Sequence, residues 1–228
     1  VQVGGSWQNT DPAVRQATQT WMQRGSLVDA SSTGSGDGGT VVIWSDLNNP
    51  SGGTVAHGAL RARGGFAGGD GGRIETSGFY LLAQPERLDV SADKGLSGEW
   101  LLDPYDITIA AGSGTGDITP VTGSSPTLFE SSATNSRVNA TDIETQIAVN
   151  GGTNVRVATA PGGSGGGNIT WEAGAPINYS GSSGTLTLDA SGYIKLNSNI
   201  TTGSGGLALQ AGAGFVEATS GVTLSLGG

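Results

Sequence analysis

The stretch Asp70-Gly-Gly-Arg-Ile-Glu-Thr-Ser77 decides the fold, because it repeats the beginning of Asp37-Gly-Gly-Thr-Val-Val-Ile-Trp-Ser45, with Asp70 aligned on Asp37. In both copies a glycine-rich turn opens a short run of strand-forming residues. A chain that repeats a turn followed by a strand stacks successive windings of similar structure. The sequence therefore predicts a repeat protein.

The last third of the chain contains further repeats of short strands. Their apolar positions recur at similar intervals in three series, which are Ile169, Leu186 and Leu207; Ile177, Ile200 and Val222; and Tyr193-Ile-Lys-Leu196 with Phe215-Val-Glu-Ala218. Three strands in each repeat of about 22 residues are typical of a parallel β-helix. We expect an all-β solenoid in which alternate side chains enter a narrow core.

Composition excludes several classes of partner. The chain has 228 residues, 42 of them glycine, and a formal net charge of −9 with only ten Lys and Arg. So few basic residues argue against nucleic acid as a partner. Apolar runs of three or four residues are far too short for direct membrane insertion. The absence of cysteine leaves the cellular compartment open.

Three regions follow from this pattern. Residues 1–110 are predicted to form coils with Gly-Asp-Gly-Gly turns, and 111–160 an irregular insertion rich in Gly, Ser and Thr. The third region, 161–228, is predicted to form coils of about 22 residues each. We expect one continuous solenoid, with two independent domains as the alternative. Both ends fall within the strand-and-turn series, so we expect a fragment of a longer protein.

One short helix is predicted near 142–149, flanking or capping the coils. Thr141-Asp-Ile-Glu144 matches a capping box, in which Thr141 accepts from the Glu144 amide and Glu144 reaches back. Ile143 and Ile147 would share the buried face, and Asn150-Gly-Gly152 would end the helix. Asp11-Pro12 is a second candidate helix start, although the following 18–22 could equally be a strand.

The motif Trp100-Leu-Leu-Asp-Pro-Tyr-Asp-Ile-Thr108, with the glycine-rich repeats before it and Gly167-Asn-Ile-Thr-Trp171 after it, resembles filamentous haemagglutinin-like exoproteins of bacterial two-partner secretion. The resemblance runs along the whole chain. It implies a right-handed parallel β-helix in a secreted, surface-located protein. It also implies an outer-membrane β-barrel transporter as export partner, and adhesion to a host receptor or glycan.

Several residues could carry chemistry. Asp103 and Asp106, with Glu99, could supply a general acid and base, but turn formation around Pro104 explains the first two as well. His57 is the only histidine and there is no cysteine, so the usual zinc or copper sites cannot be assembled. Asp37 and Asp70 are too far apart to match calcium-binding nonapeptides, and we expect them to bond backbone amides in the turns.

Aromatic residues and sequons complete the candidates. Trp44 and Trp171 could stack on a sugar ring, although packing in the core or at its edges is the preferred interpretation for the tryptophans. Asn-X-Ser/Thr sequons begin at Asn139, Asn168, Asn178 and Asn199 and give a weak hypothesis of glycosylation.

The sequence therefore predicts a structural and adhesive segment with no catalytic residue, cofactor or metal. A carbohydrate-active β-helix enzyme is the first alternative. A passive shaft with no binding activity of its own is the second.

Overall fold

The computed structural model describes residues 1–104, 106–111, 118–120, 129–131, 136–148, 152–159, 167–212 and 214–227; for 118–120 and 129–131 it describes the backbone alone. The first ten strands are β1 (Gln2–Val3), β2 (Gln19–Met22), β3 (Leu27–Asp29), β4 (Thr40–Trp44), β5 (Gly53–Ala56), β6 (Ala59–Arg61), β7 (Arg73–Gly78), β8 (Tyr80–Ala83), β9 (Arg87–Asp89) and β10 (Glu99–Pro104). A short 3-10 turn spans Trp7–Asn9.

The later elements are β11 (Ile107–Ala110), β12 (Ile118–Pro120), β13 (Phe129–Ser131), β14 (Ser136–Asn139), α1 (Ala140–Ala148), β15 (Asn154–Ala158), β16 (Ile169–Trp171), β17 (Ile177–Asn178), β18 (Leu186–Ala190), β19 (Ile194–Leu196), β20 (Ile200–Thr201), β21 (Leu207–Ala211), β22 (Val216–Ala218) and β23 (Leu224–Ser225). None of the helices in the described part of the chain is long and apolar enough to cross a membrane.

Long parallel sheets dominate the molecule. The first sheet has the order β1-β4-β7-β10-β15-β18-β21, and the second has the order β2-β5-β8-β14-β11-β16-β19-β22. Two three-stranded sheets, β3-β6-β9 and β17-β20-β23, form a third set. All pairings in these sheets are parallel, whereas β12 and β13 form an antiparallel pair. The fold is all-β and built on parallel sheets.

Successive strands visit these sheets in turn, and we call one such set a round. For example, β4, β5 and β6 form one round and pair with β7, β8 and β9 of the next. The predicted alignment of the two glycine-rich repeats is confirmed, because Thr40 pairs with Arg73. The predicted alignment of 193–196 with 215–218 is also confirmed, because Ile194 pairs with Val216.

Two predicted alignments were wrong. Ile169 belongs to the second sheet, where it pairs with Ile107 and Ile194, and Val155 is the residue that pairs with Leu186. In the second series Ile177 and Ile200 do pair, but the next partner is Leu224 and not Val222. Short alternating strands in different sheets have the same pattern, so spacing alone did not separate them.

The order of the second sheet departs from the order of the chain. After β11 the chain passes through the β12–β13 pair and returns as β14, which lies between β8 and β11. Helix α1 follows and contacts β14, β15 and β17. Elements within the predicted 111–160 insertion thus join the sheets. Residues 112–117, 121–128 and 132–135 lie outside the described residues.

Helix α1 buries the two isoleucines that its spacing predicted. Ile143 and Ile147 are fully buried in the main core, so α1 packs as part of the core. The capping prediction was wrong, because α1 begins at Ala140 and already includes Thr141. The Glu144 carboxylate instead accepts from the Asn178 amide at 3.0 Å. The predicted stop at 150–152 falls mostly outside the described residues.

Alternation along the strands divides the side chains between two environments. Val41 and Ile43 enter the main core together with Trp100 and Trp171. On the opposite, outer face of the first sheet, Val42, Trp44 and Leu47 form a separate buried cluster with Trp7 packed against it. The first sheet is therefore covered on both faces in the region of its first strands.

The segment at Asp11-Pro12 is not helical, and 19–22 is strand β2.

Candidate binding pocket on the first sheet

The register of the first sheet places an aromatic and an acidic side chain on one row of its outer face. Trp44 of β4 pairs with Ser77 of β7, and Ser77 pairs with Asp103 of β10. Glu75 lies two residues before Ser77 and therefore points to the same face. The row would be open to water if no other segment covered it.

The segment around Trp7–Asn9 covers this row. The Gln8 amide donates to Glu75 Oε2 at 2.8 Å, and the Trp7 ring lies 4.3 Å from the Arg73 guanidinium. Trp44 Nε1 donates to Gln16 Oε1 at 3.2 Å. These contacts fix the segment to the sheet at three separate side chains.

The turn has an unusual backbone. Gln8 and Asn9 have φ values of 47° and 51°, in the left-handed region that non-glycine residues seldom adopt. They are the only described non-glycine residues with positive φ. Such residues are enriched at ligand sites, where surrounding contacts hold them in place.

Between this segment and the sheet lies a pocket of about 430 Å³. Its wall combines polar and apolar surface: the polar residues are Gln8, Asn9, Thr10, Gln16, Asn48 and Asp103, and the apolar ones are Trp44 and Leu47. Carboxamides both donate and accept hydrogen bonds, whereas an ionised carboxylate only accepts. The wall can therefore bind a ligand rich in hydroxyl groups.

Asp103 is the acidic member of the pocket. It is only 8% exposed, and burial raises the pKa of its carboxyl to about 6, with Arg156 lowering it and Asp189 raising it. The side chain has no hydrogen-bond partner among the described residues. Its acceptor positions are therefore available to a ligand in the pocket.

Glu75 lies beneath the pocket wall and is fully buried. Burial raises its pKa to about 7, although hydrogen bonds from the Gln8 amide and from Ser77 lower it and Asp103 raises it. Ser77 Oγ donates to Glu75 Oε1 at 2.8 Å. With both oxygens bonded, Glu75 holds the covering segment in place.

A second, open groove of about 700 Å³ crosses the same sheet at the end where its strands begin. Thr40, Arg73, Glu99 and Asn154 stand next to one another in register and contribute to its wall. Asp37 and Asp70 lie at its edge. Repeated polar side chains along a line provide a surface for an extended polar ligand.

The two tryptophans predicted to stack on sugars are not available for stacking. Trp171 is fully buried in the main core, where Nε1 donates to the Ala175 carbonyl at 2.7 Å. Trp44 is 1% exposed, so it contributes little more than an edge to the pocket. Core and edge packing, the preferred interpretation, describes both rings. Trp171 points into the main core, and Trp44 points to an outer face that Trp7 covers.

The predicted acid group is dispersed. Glu99 lines the open groove, and Asp103 lines the pocket. Asp106 is a turn residue, because its Oδ1 accepts from the Asn168 amide at 2.7 Å. The acids that interact with Asp103 are Glu75 and Asp189, and the sequence analysis singled out neither. The signal for Glu75 was a glutamate at an alternate position within the repeated strand Arg73–Gly78.

The remaining metal candidates show no metal-binding arrangement. Burial lowers the pKa of His57, and its Nδ1 is buried without a hydrogen-bond partner in the described part of the chain. Within the described ranges there is no group of three His, Asp or Glu side chains that could hold a metal ion.

Asp37 and Asp70 bond backbone amides, as predicted, but across rounds. Asp37 Oδ1 accepts from the Asp70 amide at 2.8 Å, and Asp70 Oδ1 accepts from the Leu96 amide at 2.8 Å. The same arrangement recurs at other turns, and we call it the corner ladder. Its further acceptor and donor residues are Asp106 and Asn168, Asn154 and Thr185, Asn168 and Tyr193, and Asn199 and Thr223.

The corner ladder includes two of the four sequons. The Asn168 and Asn199 side chains accept backbone hydrogen bonds from the next round. Asn139 is mostly buried and donates to Asp142, whereas Asn178 is exposed and accepts from the Ser180 amide. Asn178 and Asn199 are the exposed sequon asparagines.

The comparisons add no relative to these observations. No protein-family model matches the chain, and a search of curated proteins finds no significant match.

Proposed function

We propose that this chain is a structural and adhesive segment of a secreted bacterial surface protein. Its three sets of parallel sheets would wind as a right-handed β-helix that carries a binding surface for host cells, matrix or glycans. The observation that carries this proposal is the in-register pairing of successive rounds, in which β4, β5 and β6 each pair with the following round. Such stacking gives a rigid scaffold that needs no ligand or disulfide.

The outer face of the first sheet supports the adhesive part of the proposal. The groove along Arg73 and Glu99 is open and polar, and the pocket at Asp103 lies close to it on the same sheet. Binding surfaces on repeat proteins commonly extend over several adjacent repeats. A ligand along the groove would contact side chains from at least four strands of the sheet.

Binding of the purified chain to a glycan array and to extracellular matrix proteins tests the adhesive role. We expect saturable binding that weakens on Arg73→Ala and Glu99→Ala exchange, with unchanged far-UV circular dichroism. Arg15→Ala is a matched control for loss of a charged side chain outside the groove. The absence of binding by a folded sample would favour the passive shaft.

The export role is tested separately. We expect secretion of the parent protein to require an outer-membrane β-barrel transporter, so deletion of that transporter should leave the protein in the periplasm. Secretion that continues without it would contradict this part of the proposal and leave the adhesive part untouched.

The enzyme alternative rests on the raised pKa of Asp103. A general acid-base pair requires two carboxyl groups that both reach the substrate, and Glu75 is fully buried with both oxygens bonded. We therefore propose binding without turnover. Release of reducing ends from polysaccharides by the wild type, lost in Asp103→Asn, would reverse this choice.

A further inference from the structure

We propose that the pocket between the Trp7–Asn9 turn and the first sheet binds one saccharide unit, with the Asp103 carboxylate accepting hydrogen bonds from its hydroxyl groups. The inference deepens the proposed adhesive function, on which it rests, by naming a site and a ligand class. It concerns this pocket and not the groove at Arg73 and Glu99.

The first argument is the state of Asp103. The side chain is 8% exposed, lines the pocket and lacks a hydrogen-bond partner among the described residues. The carboxylate therefore has acceptor positions available on the pocket side, and the hydroxyl groups of a ligand can donate to them. Hydrogen bonds to a charged group are also stronger than those between neutral groups.

The second argument is the chemistry of the wall. Gln8, Gln16 and Asn48 bring carboxamides to the pocket, and Thr10 brings a hydroxyl. A sugar hydroxyl both donates and accepts hydrogen bonds, so it can donate to the oxygen of a carboxamide or accept from its NH₂ group. Trp44 and Leu47 add apolar surface, which suits the C–H groups of a sugar ring beside its hydroxyl groups.

The charges around the pocket further restrict the class of ligand that it can bind. The described wall contains no basic residue, and Arg156, the cation that acts on Asp103, is paired with Asp189, so the pocket does not favour an anionic ligand. A divalent cation would need several oxygen ligands with more than one carboxylate, and Asp103 is the only acidic residue among the described residues of the wall. A neutral polyol fits both constraints.

Size and rigidity agree with a small ligand. A volume of about 430 Å³ falls within the range of small-molecule pockets. The wall is also held in advance, because the Gln8 amide is bonded to Glu75 and Trp7 packs over Arg73. Gln8 and Asn9 keep their left-handed backbone under these contacts, so binding needs little further ordering.

The test uses ligand-observed NMR with free glucose, galactose, mannose, N-acetylglucosamine and N-acetylgalactosamine. Saturation transfer to at least one sugar is expected in the wild type, with a shift of the Trp44 indole N–H in a protein-observed spectrum. Trp44 reports on the pocket because its Nε1 bonds Gln16. Asp103→Ala should weaken binding at least tenfold, and Asp103→Asn should weaken it less.

Matched controls separate this inference from the proposed function. Glu217→Gln removes an exposed carboxylate from β22, outside both the pocket and the groove, and should leave the affinity for free sugar unchanged. Far-UV circular dichroism shows whether each variant folds, and Asp103→Asn remains informative if Asp103→Ala does not fold. Free-sugar binding that persists at wild-type affinity in the folded Asp103 variants would overturn the pocket, and array binding that still weakens on Arg73→Ala would leave the adhesive function standing. No sugar binding by folded wild type would overturn the pocket regardless of the array.

Discussion

The first three rounds and the last three rounds use the same parallel pairing, but their outer surfaces differ. In the first sheet Val42, Trp44 and Glu75 are buried on the outer face, beneath the turn at Trp7–Asn9. The equivalent face in the later rounds carries Arg156, Thr187 and Asp189, all partly exposed. The early rounds therefore have a covered outer face, and the later rounds have a solvated one.

Round length accounts for this difference. Paired residues are 32 to 40 positions apart between the first two rounds and 21 to 24 apart between the last two. The extra residues of the early rounds form turns and loops that extend beyond the strands and can fold back over a sheet. Short rounds have only enough residues for strands and corners. Added length in a round thus provides the residues that cover the sheet and form the pocket.

The third sheets show the same contrast. Asp29, Arg61 and Asp89 stand in register in the early sheet, whereas Asn178, Thr201 and Ser225 do so in the late one. A charged row has alternating signs across strands, which favours correct neighbours and penalises a shifted register. The late sheet depends on its apolar positions for the same purpose.

Removal of a core ring should have the largest effect. Trp171→Ala deletes a fully buried indole in the late rounds and should lower the free energy of unfolding by about 3 to 5 kcal/mol. Trp44→Ala removes a ring from the outer face, so the main core stays filled and the loss should be smaller. Urea denaturation followed by circular dichroism measures both. Equal losses would mean that the outer cluster is as important to stability as the core.

Glu75 should make the early rounds sensitive to pH. Burial raises its pKa from 4.5 to about 7, so the folded state binds the proton more tightly than the unfolded chain. Stability from this group is therefore fully present below about pH 4.5 and is lost as the pH rises through about 7. Between pH 5 and pH 8 the loss should be about 2 to 3 kcal/mol.

The matched variant for this pH effect is Glu75→Gln, which keeps the shape and most hydrogen bonds but does not titrate. Its stability should fall less than that of the wild type between pH 5 and pH 8 in urea denaturation. Asp103→Asn serves as the second control, because the pKa of Asp103 is also raised. Parallel pH profiles for wild type and Glu75→Gln would contradict the assignment.

Asp89 in the charged row of the early third sheet and Asp189 on the solvated face of the first sheet allow a direct comparison. Asp89 is buried and accepts hydrogen bonds from Ser91, Arg87 and Arg63. Burial alone would raise its pKa, but the hydrogen bonds from Ser91 and Arg87 outweigh burial and lower it. Asp189 is partly exposed and pairs with Arg156 alone among the described basic residues.

Asp89→Asn should therefore cost about 2 kcal/mol of stability, and Asp189→Asn less than about 1 kcal/mol. The Asp89 contribution should disappear as the pH falls through its lowered pKa, because a protonated carboxyl no longer pairs with arginine. Thermal unfolding of the two variants at pH 7 and pH 3 measures both effects. A larger loss for Asp189→Asn would reverse the comparison.

The smallest expected effect concerns the corner ladder. Asn199→Ala removes an acceptor for the Thr223 amide in the next round and should cost about 1 kcal/mol. Asn178→Ala removes only a bond within its own turn, to the Ser180 amide. Hydrogen exchange of the Thr223 amide should therefore accelerate in the first variant and stay constant in the second. Unchanged exchange in both would mean that the ladder bond contributes little.

Sequence patterns predicted the register where rounds are short and repeat a whole strand. Tyr193–Leu196 and Phe215–Ala218 share both apolar positions, so their alignment followed from spacing. Ile169 was assigned to the wrong sheet because its apolar alternation fits more than one sheet. Helix α1 was predicted from Ile143 and Ile147, although its first residue was not.

The pocket could be predicted only in part. Asp103 and Trp44 were singled out from the sequence, but their meeting depends on strand pairing and on a covering segment from the beginning of the chain. The contact between Gln8 and Glu75 joins residues 67 positions apart, and no local pattern specifies it. Burial also removed Trp44 and Trp171 from sugar stacking, since exposure depends on what packs over a strand.

The corner ladder points in a single direction along the chain. Asp37, Asp70, Asp106, Asn154, Asn168 and Asn199 supply the acceptors, and every donor amide belongs to a later part of the chain. A round that has already formed thus presents oriented oxygens to residues that have not yet been placed. We expect a chain that emerges amino terminus first to add each round onto acceptors that are already in place, except where β14 inserts between β8 and β11.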